Sequence, residues 1–134
     1  MAIRILIVDD HSMLRRLLRR HLEMQEDFTV VGEAQDGLEG IFKAESLLPD
    51  LVLMDVSMPG MDGIEATRTL CERLPQVKVL MLTLYASNEN CTRAMSSGAS
   101  GYVLKDTVDD EIETAVRAVM AGSTYFGAGV TNLS

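Results

Sequence analysis

A doubly wound α/β fold on a five-stranded parallel sheet is what this sequence predicts, and two observations carry the prediction. Five short apolar runs recur along the chain with helix-periodic stretches between them, and the runs are near-continuous Val, Ile and Leu instead of alternating apolar and polar residues. A strand buried on one face alternates, whereas a strand covered on both faces does not. The order βαβαβαβαβα supplies helices for both faces of a parallel sheet.

The runs are Ile3 to Val8, Phe28 to Ala34, Leu51 to Met54, Val77 to Leu82 and Gly101 to Leu104. After the first, Leu14, Leu17, Leu18 and Leu22 recur at the helical period and predict a buried stripe. The stretch Ser87 to Ser97 offers only Cys91, Ala94 and Met95 for packing and is expected to form the loosest helix. The last helix is predicted over about Val108 to Ala121, with Val108, Ile112, Ala115, Val116 and Val119 facing inward. Thr107 with Asp110 resembles a capping box, Asp109, Glu111 and Glu113 favour the positive helix start, and Gly122 supplies a stop. Beyond it no period is sustained, so residues 1–121 are expected to form the domain and 122–134 the start of a linker or a disordered tail.

The 134 residues suit one domain whose core needs no disulfide or structural metal. Apolar residues make up 47% and charged residues 24%, and no apolar run approaches the roughly 20 residues of a membrane span. The start Met1-Ala2-Ile3-Arg4 lacks the pattern of a signal peptide, so the expected location is cytoplasmic, with no membrane partner. A net charge of −8 repels nucleic acid phosphates. Cys71 and Cys91 lack the spacing of a zinc site or redox pair and are expected to be reduced thiols.

In open parallel sheets ligands bind outside the carboxyl ends of the strands. The first run is followed by Asp9-Asp10, the third by Asp55, the fourth by Thr83 and the fifth by Lys105, while the second ends in the blander Ala34-Gln35. Three carboxylates close together must either raise a pKa or hold a cation, and an all-oxygen set suits Mg²⁺. Lys105 and Thr83 suit phosphate oxygens, and a carboxylate can act as a nucleophile to form an aspartyl phosphate. Asp55 is the better nucleophile, because the turn Met58-Pro59-Gly60-Met61-Asp62-Gly63 leaves it accessible; Asp9 and Asp10 are better placed as metal ligands.

Asp9-Asp10, the segment from Pro49 to Asp55, the turn from Met58 to Gly63, Thr83 and Lys105 together resemble the receiver domain of bacterial two-component response regulators. The similarity spans about residues 3 to 121, and Gly98 to Asp106 further resembles the NarL/FixJ (LuxR-type) branch. The resemblance implies the (βα)5 flavodoxin-like, CheY-like fold. It implies that Asp55 takes a phosphoryl group from a sensor histidine kinase or phosphotransfer protein. Mg²⁺ would be held by Asp10, Asp55 and the Ser57 backbone carbonyl, with Asp9 acting through water. Thr83 and Tyr102 would form the switch pair, the hydroxyl moving onto the phosphoryl group while the ring turns inward, and Lys105 would pair with the phosphate. Homodimerisation on phosphorylation is implied, as is DNA binding only through a C-terminal output domain outside this chain. Many receivers carry proline after the lysine; here Asp106 follows, so a cis bond is not expected.

Arg15, Arg16, Arg19 and Arg20 form a basic stripe that reads equally as a solvated face or as a docking surface for the kinase or an acidic neighbour. His11 is a poor metal candidate, since no second His or Cys lies near it in sequence, and it and His21 read as structural or surface residues. Two other functions compete. A magnesium-dependent phosphohydrolase with an aspartate nucleophile would need a second acid two residues on, where this chain has Ser57, so turnover on an external substrate is not expected. The other is a receiver-shaped interaction module that is never phosphorylated.

Overall fold

Alternate side chains of the central strands enter two separate cores, which is why those strands are apolar throughout. The computed structural model of the protein describes residues 2–84 and 88–127. Its strands are β1 (Ile3–Val8), β2 (Phe28–Ala34), β3 (Leu51–Asp55), β4 (Lys78–Thr83), β5 (Gly101–Leu104) and β6 (Tyr125–Phe126). The helices are α1 (Ser12–Glu23), α2 (Gly37–Leu47), α3 (Gly63–Arg73), α4 (Asn88–Ser96) and α5 (Val108–Met120), with a 3₁₀ turn over Lys105–Thr107. All strands pair in parallel in the order β2-β1-β3-β4-β5-β6.

Ile5 and Ile7, Leu51 and Leu53, Leu80 and Leu82, and Val103 pack with Leu18 and Leu22 of α1 and the inner face of α5. Leu6 and Val8, Val52 and Met54, Val79 and Met81, and Tyr102 pack with α2, α3 and α4 on the other side. The two-residue alternation of a strand sorts neighbours onto opposite faces. Among the described residues no helix is long and apolar enough to cross a membrane.

The structure departs from the sequence reading in five places. The third and fourth strands each run one residue further, so Asp55 and Thr83 are terminal strand residues. Leu17 does not join the buried stripe of α1; it is 43% exposed, because the helix buries only Leu18 and Leu22 fully, with Leu14 at the edge. Thr107 precedes α5 but its side chain caps no amide; its hydroxyl lies 3.4 Å from Glu111 Oε1. The preceding 3₁₀ turn runs through Thr107, whose ψ of 7° departs from the extended conformation usual for a capping residue.

The fourth departure concerns α4. It ends at Ser96, one residue before the expected Ser97, while the expected start at Ser87 lies outside the described residues. Cys91 and Ala94 are buried as anticipated, with Met95 half-buried. The fifth is at the C-terminal side, where part of the expected linker belongs to the sheet. Gly122 ends α5 with φ +96°, and the chain returns to lie beside β5, with Tyr125 N–H donating to Ser100 O (3.1 Å) and Gly127 N–H to Tyr102 O (2.9 Å). Residues 128–134, expected as tail, lie outside the described residues.

Phe126 stands opposite Tyr102 in this pairing and packs against the α2–α4 core. Phe126→Ala is therefore expected to destabilise the chain by about 1–2 kcal/mol, roughly half the cost of truncating a fully buried Phe. An unchanged urea midpoint would show that β6 contributes no packing.

Candidate functional site

The point where the chain turns from one side of β1 to the other places the ends of β1 and β3 side by side. Val8 pairs with Met54, so Asp9 and Asp55 follow as neighbours. Asp9 N–H donates to Ala34 O (3.0 Å), which extends the β1–β2 ladder by one residue and fixes the first acid. Asp55 is fixed from the other side, since Val56 N–H donates to Leu82 O and Gly63 N–H to Val56 O, both at 2.9 Å. The bland end of β2 thus has a job, holding Asp9.

Asp9 is fully buried, and Asp55, expected to be left accessible by the turn after it, is only 2% exposed, because that turn folds back through Gly63 N–H to Val56 O. Lys105 Nζ lies 2.9 Å from Asp9 Oδ2 and 3.1 Å from Asp55 Oδ1, and Ser57 N–H donates to that same Asp55 oxygen (3.2 Å). Asp55 Oδ2 is buried with no hydrogen-bond partner among the described residues. Asp10 is partly exposed at the rim. Burial, then the neighbouring Asp9 charge, push the Asp55 carboxyl up to about 6, against the pull of Lys105 and the Ser57 amide. Burial alone would lower Lys105, but bonding to Asp9 and the Asp55 charge outweigh it and hold the ammonium above its usual value.

Thr83 and Leu84 line the same cleft as His11, Asp55, Ser57 and Lys105. Tyr102 is fully buried on the α4 side, two residues before the end of β5. Burial raises its phenol, and the nearby Thr83 hydroxyl opposes that shift without making a well-formed hydrogen bond to the Tyr102 hydroxyl. No cis peptide bond occurs among the described residues. Cys71 and Cys91 are free thiols, both pushed up by burial.

The arginine stripe divides in two. Arg16 and Arg20 are exposed. Arg15 and Arg19 instead grip Glu33 of β2, through Arg15 Nε to Oε1 (3.0 Å) and Arg19 Nε to Oε2 (2.7 Å). Burial would raise Glu33, but these two bonds prevail and hold its carboxyl below the usual range. Arg15 also donates from Nη1 to the Asp9 backbone carbonyl (2.6 Å). Nothing local in sequence signals this, because Glu33 lies 18 residues away. His11, read as a structural or surface residue, is both, with a side chain 63% exposed and bonded to the acids. Its amide donates to Asp9 Oδ1 (2.8 Å), and its ring Nδ1 is 3.2 Å from Asp9 Oδ1 and 3.1 Å from Asp10 Oδ1. The signal was available, since an aspartate followed two residues later by a free amide favours an Asx turn that folds the intervening chain back.

Residues 5–117 match the response regulator receiver domain as a family. The chain belongs to that family. This receiver domain is 46% identical over 126 residues to the response regulator protein VraR of Staphylococcus epidermidis, an alignment covering 94% of this chain and 60% of that protein. VraR of Staphylococcus aureus is 45% identical with the same coverage. The chain therefore spans about 60% of the length of the curated relatives it matches.

Among solved structures, a LuxR-family two-component response regulator from Aurantimonas sp. SI85-9A1 superposes with TM-score 0.89 at 35% identity, covering 93% of this chain and 89% of that one. The receiver domain of the response regulator NarL from Mycobacterium tuberculosis gives TM-score 0.86 at 32% identity, covering 90% and 98%. The isolated receiver domain of RcsB from Salmonella enterica, solved with the phosphomimetic BeF3−, gives 0.89 at 26%, covering 97% and 96%. The receiver fold and the LuxR/NarL affiliation inferred from the motifs thus hold, and the acidic cluster is of the kind that receivers use for Mg²⁺.

Proposed function

We propose that this receiver domain accepts a phosphoryl group on Asp55 from the histidine of a sensor kinase or phosphotransfer protein, and so switches a transcriptional output. The observation that carries the reading is the state of the Asp55 carboxylate. One oxygen is fixed by Lys105 and the Ser57 amide, while Oδ2 has no hydrogen-bond partner among the described residues, in a crevice shared with Asp9 and Asp10. A positioned nucleophile with one free oxygen needs little further machinery for in-line transfer. The Asp55 oxygen forms the new bond to phosphorus as the phosphorus–nitrogen bond breaks, and the electron pair returns to the donor imidazole.

The residues present fit Mg²⁺, because an unpartnered buried carboxylate oxygen beside two further carboxylates demands positive charge that Lys105 does not fully supply. Asp10, Asp55 and the Ser57 carbonyl would hold the ion, with Asp9 acting through water. When bound, the ion neutralises charge on the transferring phosphoryl oxygens. Lys105 is placed to follow Asp55 and pair with the phosphate. Thr83 supplies a hydroxyl at the same cleft, and with Tyr102 already inward its movement is the simpler half of the switch.

Response regulators of this kind imply a cognate sensor kinase and are generally not turnover enzymes. The resemblance to LuxR-type regulators implies a DNA-binding output domain and dimerisation on phosphorylation, and the matched relatives are longer than the stretch aligned here. The position where a phosphohydrolase would carry its second acid holds Ser57, which disfavours that alternative.

Incubation with Mg²⁺ and a small phosphodonor is expected to add one phosphoryl group, labile to hydroxylamine, to the wild type and none to Asp55→Asn. Equal labelling of the two proteins would sink the assignment. Arg15 is expected to matter through Asp9. Arg15→Ala should weaken Mg²⁺ binding about tenfold in a calorimetric titration, as the loss of outer-shell partners commonly does. Arg19→Ala removes a Glu33 bond without touching Asp9 and should leave that affinity nearly unchanged. Equal effects of the two substitutions would mean that Glu33, not the Asp9 carbonyl, is the relevant contact.

A further inference from the structure

An imidazole stands among the carboxylates, and the function proposed above makes no use of it. His11 is tied to Asp9 Oδ1 twice, by its amide (2.8 Å) and by ring Nδ1 (3.2 Å), and the same nitrogen lies 3.1 Å from Asp10 Oδ1. The ring is therefore turned toward the acids although its side chain is 63% exposed. One ligand atom each from Asp9, Asp10, His11 and Asp55 can be chosen so that all lie within 4.8 Å of one another. Atoms on opposite sides of a divalent ion lie about 4–4.5 Å apart, so small side-chain adjustments bring Asp10, His11 and Asp55 around one ion, with Asp9 within reach through water.

A second observation points to a cation independently of the clustering. Asp55 Oδ2 has no hydrogen-bond partner among the described residues, in a residue 98% buried that lines the same crevice as His11. Lys105 satisfies Asp9 Oδ2 and Asp55 Oδ1 but not this oxygen.

Resting on the reading of this crevice as a cation site, we propose that His11 Nδ1 is an additional metal ligand that biases the site toward divalent first-row transition ions. Mg²⁺ is a hard ion that prefers oxygen ligands and keeps its waters. Fe²⁺, Ni²⁺, Cu²⁺ and Zn²⁺ accept an imidazole nitrogen readily, and Mn²⁺, though it too suits oxygen ligands, stands at the start of that first-row series. His11 Nδ1 lies at ordinary contact distances from both carboxylates, and an ion among these atoms binds that nitrogen, with the ring proton on Nε2, in place of one water. Because the ring is largely exposed, it can tilt to do so without disturbing the core. The bias is a property of the side chain: His11 discriminates between classes of ion, while the three aspartates attract them all.

The test uses the untagged chain with no phosphodonor, with Mn²⁺ and Mg²⁺ as probes. Calorimetric titration of wild type and His11→Gln is expected to show Mn²⁺ affinity falling about tenfold with Mg²⁺ affinity unchanged. Electron spin-echo spectroscopy of the Mn²⁺-loaded wild type is expected to show nitrogen modulation that His11→Gln abolishes and His21→Gln retains. Melting temperatures of the variants check that both fold.

Mn²⁺ bound without nitrogen modulation, or a Mn²⁺ to Mg²⁺ affinity ratio equal in wild type and His11→Gln, overturns the inference. If Mg²⁺ still supports labelling of Asp55 in that case, the phosphoacceptor reading survives alone. If nitrogen modulation from His11 is present while Asp55 cannot be labelled, the inference stands and the phosphoacceptor reading falls. If neither ion binds, both fail.

Discussion

Asp55→Asn is expected to raise the melting temperature of the metal-free chain at neutral pH even as it abolishes phosphoryl acceptance. Folding pushes the Asp55 carboxyl from its ordinary 3.8 to about 6, through burial first and the Asp9 charge second. A raised carboxyl pKa means the folded state binds the proton more tightly than the unfolded chain. Stability contributed by this group therefore falls as pH rises from about 3.8 to 6, and above that the penalty is complete. About two units correspond to about 3 kcal/mol. Asn removes the penalty but also takes one of two carboxylate partners from Lys105, so the net gain is expected to be about 1–2 kcal/mol.

That gain amounts to several degrees for a chain of this size. Scanning calorimetry without divalent cations should find the gain at pH 7.5 and little of it at pH 4, where wild-type Asp55 is itself neutral. Saturating Mg²⁺ should stabilise the wild type preferentially and narrow the gap, since ligand at a hundred times its dissociation constant contributes about 2.7 kcal/mol. A variant that melts below wild type at pH 7.5 without metal would show that the Lys105 ion pair outweighs the cost of burying the charge. The site is in this sense paid for by the fold.

Gly63→Ala is expected to have the largest effect on stability of any single methyl group added near the site. A Cβ at Gly63 would sit inside the van der Waals envelope of the Asp55 carbonyl oxygen and 2.8 Å from its carbonyl carbon. Both obstacles are backbone, so neither can swing aside. The start of α3 must retreat from β3, which breaks the Gly63 N–H bond to Val56 O and loosens the loop carrying Ser57. Overpacking against side chains costs about 1–3 kcal/mol, and a clash with fixed backbone lies at or beyond the upper end.

Urea unfolding should register that loss, and the residual folded protein should bind Mg²⁺ more weakly because Asp55 and Ser57 move with the displaced segment. Gly60→Ala serves as the control, since its φ of +76° strains any other residue but nothing lies within 4 Å of the added methyl. It should cost about 1 kcal/mol, the ordinary price of a left-handed non-glycine residue. Comparable losses for the two variants would argue that backbone conformation, not the close approach of α3 to β3, limits this turn.

What the sequence determined by itself was the sheet and the acids. Apolar runs without alternation specify strands covered on both faces, and strand ends occupied by Asp9-Asp10, Asp55, Thr83 and Lys105 specify one crevice once parallel order is granted. Those are local facts, because period and strand-end position are written in consecutive residues. The tertiary structure decided which side chains meet. Arg15 and Arg19 look like a solvated stripe until the β2 strand brings Glu33 beside them, and Arg15 then reaches the Asp9 carbonyl. His11 looks isolated until the turn after β1 folds its ring onto Asp9 and Asp10. The segment after Gly122 carries no period, since a two-residue strand is too short to show one, and only the exposed edge of β5 gives Tyr125 and Phe126 a partner. Periodicity records the face that an element buries, whereas a contact between elements depends on distances that no short stretch of sequence contains.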